Sequence, residues 1–435
     1  MGTAVSNVSF DALLKEYLPY DLLVEEVIKR DFLLSNVKKD NSWKGGDLKV
    51  PFIGNAASSM AFGRLPGFSS GGTGTGLDTI DSGTNIVQDN YVVASINAQK
   101  ELWGSMIFND RDLSAHGSLE QSFLKILPDR INAFTAAMRE SLSGCLLTGG
   151  HIDTIVSSNN ADDTIVVNRP ERFSIGQFIE IRATGTTDET VRCYVKAINM
   201  NSGTLSLDSK FTLDDEDHSV DLDNVADGDK IFHENGANNS DALFSSLASQ
   251  LMAAESTKIF GLDKVDYPHL QAYENSSVGD VEADSGVALS TIFDAMVQVR
   301  RIGKGNPTDV VMSYELYAQC LKELDGKLQY SSETGKASKY GWSEISVGGP
   351  KGSIKLVAVP EMDKDKAFIL DWNAIKLHSN GMIERRSAPD GKQFYEVRAA
   401  QGFQYIVDHR FFGELVVSKP SHCGALSGIT YSPES

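Results

Sequence analysis

A helix longer than a small domain is wide is written into the stretch from Gly117 to Leu147. Leu119, Phe123, Leu127, Ile131, Phe134, Met138, Leu142 and Cys145 recur at steps of three and four, which lines them along one helical face. Ser118 with Gln121 three residues on makes a capping-box start, and Thr148-Gly149-Gly150 a C-terminal stop. At 1.5 Å per residue, Ser118–Leu146 spans roughly 43 Å. Pro128 lies inside it. The sequence therefore allows either a kinked helix or a short helix followed by a longer one starting at Pro128.

What flanks this helix changes style on each side. Residues 9–37 read as two short amphipathic helices broken at Pro19, with Ser9 and Asp21 as N-caps. Residues 46–98 read as a long two-stranded excursion. Leu48, Val50 and Phe52 alternate in one strand, and Val92, Ala94, Ile96 and Ala98 in the other. Between them runs a Gly/Ser/Thr tract, Ser69–Gly76, with high chain entropy and little to pack. From Ile152 to about Glu234 the chain reads as short strands and turns, with Ile179/Ile181, Val191/Cys193/Val195 and Leu205/Leu207 alternating against polar neighbours. This predicts a compact all-β module, a small barrel or sandwich.

Helices return at Ser240, with Leu243, Leu247, Leu251 and Met252 on one face, and at Leu289–Arg301. A strand at Asp309–Met312 then leads through Ser313 into a helix ending at Leu324. Ile354–Val357, Phe368–Ile369, Tyr405–Val407 and Leu415–Val417 predict strands in the tail.

The net charge of −19 argues against a dedicated nucleic-acid binder and against anionic membrane surfaces. There is no apolar run of 18 residues, so a membrane-spanning helix is not expected. Four cysteines (Cys145, Cys193, Cys320, Cys423) lie far apart with no CxxC, which predicts reduced thiols and neither a zinc site nor a disulfide framework. Signatures of zinc proteases and nucleotide-binding loops are absent, and Gly72-Thr73-Gly74 and Gly303-Lys304-Gly305 read as turns. The eight histidines show no ligand spacing. Asp223, Asp227, Gly228 and Glu234 fit positions 1, 5, 6 and 12 of a calcium loop, but Val225 holds position 3 and no helices flank it. Residues 208–234 carry ten acidic and two basic side chains, so this stretch reads as a solvated acidic edge. Asp363-Lys364-Asp365 reads as a turn. No metal, cofactor or catalytic residue is expected.

Taken in order, these parts resemble the major capsid proteins of tailed bacteriophages, the HK97-like family. Val310-Val311-Met312-Ser313 leading into Tyr314–Leu324, Ile354–Pro360, and Gly413–Pro420 carry the nearest local likeness. The resemblance implies an α+β capsid fold divided as follows: an N-terminal arm (1–45), an extended β-hairpin loop (46–110), a spine helix in a peripheral domain (111–150), an inserted β domain (151–236), the peripheral domain continued (237–275), an axial domain (276–385) and closing strands (386–435). It implies no enzyme activity, and a shell of hexamers and pentamers of this chain enclosing double-stranded phage DNA held without sequence recognition. A portal protein, a separate scaffolding protein and a decoration protein are the further partners it suggests, in a virion assembled in the host bacterial cytoplasm. Arg64, Leu65, Phe68, Gly72, Gly74 and Gly76 of the loop are the expected inter-subunit contacts. Some members of the family lock subunits through a loop lysine, but here Val50–Gln99 holds no lysine, so a non-covalent shell is expected. Two alternatives stay open: an encapsulin-like compartment holding protein cargo, and an enzyme with an unrecognised site.

Overall fold

In the computed structural model, the residues described are 27–28, 31–41, 43, 47–55, 90–96, 100–109, 119–159, 162–182, 190–208, 222, 225–233, 244–281, 287–325, 345–349, 352–386, 392, 394–399 and 402–431. One uninterrupted helix runs from Leu119 to Thr148, straight through Pro128. Its 30 residues make it about 45 Å long. It stops where expected: Gly149 and Gly150 take φ of +107° and +81°, a backbone region that a side chain would strain. Ser118, the expected cap, lies outside the described residues.

The lower half of the helix supplies the main core. Met138, Leu142, Cys145 and Leu146 are buried against Phe411, Leu377, Ile383 and Leu415 of a five-stranded sheet. That sheet is built on a single strand, Gly402–Val417, where the sequence predicts two short ones. Ile375–Arg385, Tyr395–Ala399 and Glu101–Asn109 all pair antiparallel with it. The strand at Glu101–Asn109 is a feature that sequence reading missed. Its Gly104 lets the Phe134 ring in, since a Cβ there would come within 2.9 Å of Phe134 Cε2.

A second, six-stranded sheet has the order Tyr273–Asn275, Gly424–Leu426, Ala367–Leu370, Asp309–Met312, Gly352–Ala358, Ile345–Gly349. The helices Val287–Gln298 and Tyr314–Asp325 cover it, burying Ile292, Met296, Leu316 and Cys320 on Val310, Ile354 and Ile369. Ser313 caps the second helix as predicted, its Oγ accepting from Leu316 N at 3.3 Å. The first helix ends at Gln298, short of Arg301, because Val299–Gly303 widens into a π turn that Lys304 closes at φ +58°. Gly303 and Gly305 lie against the backbone of Ser421 and His422, where a Cβ would collide. Of the helix expected from Ser240, residues 240–243 lie outside the described residues, 244–246 are not helical, and the helix is Leu247–Leu251, capped by Ser246 and ended at Met252.

Between His151 and Phe232 six strands close into a barrel. The alternation seen in the sequence faces inward: Ile165, Ile179, Ile181, Cys193, Val195, Leu205 and Ile231 fill a core of their own. Phe232 sits opposite His151 in register, so the two ends of the stretch meet at one point. Residues 150–237 expressed alone are therefore expected to unfold in one cooperative transition, followed by circular dichroism in denaturant. A disordered spectrum would refute that independence.

Candidate functional site

Two places in the fold join separate segments of the chain to its body. The first is the base of the hairpin. Leu48–Asn55 and Asn90–Ile96 pair antiparallel, with Leu48 opposite Ile96 and Phe52 opposite Val92. Their inward residues, Val50, Phe52, Ala94 and Ile96, are buried with Trp43, Ile259, Leu270, Phe412 and Val416. Trp43 and Phe412 stack with centroids 5.0 Å apart. Beside the hairpin, Lys100 Nζ reaches Glu414 Oε2 at 3.1 Å, and Ser245 N donates to Glu414 Oε1 at 2.6 Å. Burial raises the Glu414 pKa, and the Lys100 ammonium works against that rise. The hairpin is thus pinned on its apolar face, while Val93 and Ser95 look outward.

The second place is the seat of the barrel. Asp153 accepts from the backbone N–H of Arg169 at 2.6 Å and of Thr154 at 2.8 Å, fixing the segment that carries two arginines. Arg169 donates to the carbonyls of Pro360 and Met362. Arg172 donates to Pro360 O at 2.6 Å and to Ile152 O at 2.8 Å. The turn they grip also bears Asp363. Its Oδ2 lies 3.3 Å from His151 Nε2 and 3.2 Å from Lys366 Nζ. Lys366 continues to Glu255 at 2.7 Å, and Glu255 to Lys230 at 2.8 Å. The barrel is therefore tied to the body at both of its ends, through His151 and Lys230.

Although burial alone would raise the Asp363 pKa, His151 and Lys366 hold it well below the usual carboxylate range. Glu255 is held down to about 2 by Lys366 and Lys230, again against burial. Sequence reading took Asp363-Lys364-Asp365 for a plain turn. Nothing local in the sequence could show that its neighbour is His151, the first residue of the barrel.

Next to this seat lies a cavity of about 350 Å³, walled by Glu140, Ser141 and Cys145 of the long helix, His151, Arg172 and His233 of the barrel, and Glu361 of the gripped turn. Glu361 is buried, and burial raises its pKa to about 7, with Asp31 and Glu140 adding to the rise and Arg172 opposing it. Burial also lowers the His233 pKa and pushes the Cys145 thiol up to about 12, which leaves that thiol unreactive.

The expected inter-subunit residues Arg64, Leu65, Phe68, Gly72, Gly74 and Gly76 lie outside the described residues. Of the helix face, Phe134 packs at the edge of the core and Met138 and Leu142 are inside it. Leu119, Phe123, Leu127 and Ile131 belong to the helix, but their side chains lie outside the described residues. Among the described residues, no group of three His, Cys, Asp or Glu could hold a metal ion. Asp223 and Glu234 lie outside them. All four cysteines are free and buried. Among the described residues, no helix is long and apolar enough to cross a membrane.

No protein-family model matches this chain, and no curated protein matches it. Among solved structures it is similar in outline to phage capsid proteins. It is 11% identical to the chain in the Cyanophage A-1(L) capsid asymmetric unit, with 94% of this chain and 93% of that one covered and a TM-score of 0.46. It is 10% identical to a chain of the satellite phage P4 procapsid that includes the size determination protein, with 99% of each chain covered and a TM-score of 0.41. It is 8% identical to the SrpI encapsulin of Synechococcus elongatus PCC 7942, with 94% and 91% covered and a TM-score of 0.37.

Proposed function

We propose that this chain is a major capsid protein whose copies close an icosahedral shell around double-stranded DNA. The observation that carries the reading is the hairpin base. Two strands are pinned to the body by a buried apolar face and followed by a 30-residue helix. The Gly/Ser/Thr tract that the sequence places between the strands, Ser69–Gly76, carries little apolar surface of its own. Such a segment gains packing by reaching a second copy, and symmetric repetition of the contact closes a shell. The domain boundaries given by the resemblance belong to this proposal, with the barrel as the inserted domain. So do a separate scaffolding protein, a portal and a decoration protein seated on the barrel. The cysteines are buried and the ion pairs through Glu255 serve a joint, which suits a structural protein.

The test is electron microscopy of the expressed protein with and without its scaffolding partner, followed by analysis of what the particles enclose. Closed shells holding DNA support the proposal. Shells holding protein cargo would favour the compartment reading, and a monomer that turns over a substrate would overturn both.

The missing loop lysine gives a separate expectation. Mature shells boiled in detergent without reductant should run as a single band at the monomer mass of 47.3 kDa, or below it after trimming. A surviving ladder of multimers would show covalent locking by some other chemistry.

A further inference from the structure

Glu361 stands between the two residues, Pro360 and Met362, whose carbonyls the barrel's arginines grip. It faces the cavity at the seat, and its own backbone N–H donates to its carboxyl. Among the described residues, the charged groups around it come from three other elements. Asp31 caps the short helix Phe32–Asn36, with Arg139 beside it. Glu140 projects from the long helix, and Arg172 from the barrel. In its own turn, Asp363 already meets His151 and Lys366. Across the cavity, the chain enters the barrel through Gly149 and Gly150, both at positive φ, a backbone region open to glycine. A buried carboxyl, two acidic neighbours, a void and the two-glycine entry to the barrel meet at one joint.

We propose that this joint is a pH-sensitive latch for the barrel. While Glu361 carries its proton, the turn stays in place and its carbonyls hold Arg169 and Arg172. When it ionises, repulsion from Asp31 and Glu140 in a poorly solvated pocket displaces the turn, and the grip loosens. The sign follows from linkage. A carboxyl whose pKa is raised in the seated form favours that form below its raised value and disfavours it above. Its ordinary value is 4.5 and its seated value about 7, so seating weakens as the pH rises through that window. His233 works in the other sense: held neutral by burial, it opposes seating when it protonates at lower pH. The latch depends only on this chain's own joint, not on what the chain assembles into.

Hydrogen exchange on the full chain tests it, read at the amides of Gly150–Ile152 and Phe232 and corrected for the intrinsic base-catalysed rate. Opening is expected to increase about tenfold or more between about pH 5 and about pH 8. Glu361→Gln should abolish that rise and His233→Gln should leave it, removing only any acid limb. Glu140→Gln, at an exposed position, should shrink the rise and move it to lower pH. A flat profile in the natural chain overturns the proposal. So does an unchanged rise in Glu361→Gln, or, should that variant fail to fold, an unchanged rise in Glu140→Gln.

Discussion

Replacing Arg64–Gln88 with a short turn is expected to leave a folded subunit that no longer closes shells. The strands on either side carry their own reason to pair: Val50, Phe52, Ala94 and Ile96 bury against Ile259, Leu270, Phe412 and Val416, and none of these belongs to the replaced segment. Their register runs from Leu48 opposite Ile96 to Asn55 opposite Asn90, so the cut falls beyond the last pair. Shortening a surface loop changes its closure entropy by only about 0.6 kcal/mol per halving of length, which cannot unfold a chain with cores this size. Assembly is different, because a contact repeated by every copy is lost from every copy at once. The shortened chain should match the natural one in circular dichroism and unfolding midpoint, while microscopy shows no closed particles. Normal particles would mean that the loop is not an assembly element.

How far the sequence alone could carry this structure depended on distance along the chain. Periodicity is local, so the helix at Leu119–Thr148, the pairing strands of the hairpin and the inward faces of the barrel strands were all legible from spacing. The Ser313 cap was legible too, since a hydroxyl before a helical run satisfies a nearby N–H. Long-range pairing was not. Glu101–Asn109 shows apolar residues on both faces, with Trp103 and Ile107 half-exposed and Met106 and Phe108 buried, so it carries no clean alternation. Only its partner, residues 404–412, makes it a strand. The same holds for Gly303 and Gly305. They read as a turn, and their reason is the backbone of Ser421–His422, more than a hundred residues away. The barrel's seat was the least legible part. His151, Lys230, Glu255, Asp363 and Lys366 share no motif, and only the fold puts their charges in line.

That charge line gives the second large expectation. Asp363→Asn should destabilise the chain by about 3 kcal/mol at neutral pH, because removing one member of a buried pair leaves its partners uncompensated. Asparagine keeps the shape, so packing is held constant and the electrostatic loss is isolated. The Asp363 side chain is 17% exposed and that of Lys366 8%, too buried for water to replace the lost carboxylate. Lys366 retains Glu255 at 2.7 Å, which keeps the loss at the lower end of the range for buried pairs. The pH dependence has a definite sign. Asp363 has its folded pKa depressed below 3.8, so its contribution is present above that value and fades as the pH falls through the folded pKa. Unfolding curves of the natural chain and the variant should therefore stand apart at about pH 7 and draw together below about pH 3. The adjacent Lys364 supplies the control. It meets Glu315 at 3.6 Å with both side chains 38% exposed, so Lys364→Ala should change stability by less than about 0.5 kcal/mol at either pH. Equal effects from the two substitutions would show that the charge line at the seat contributes no more than a surface ion pair, and that the barrel is held by the arginine–carbonyl grip alone.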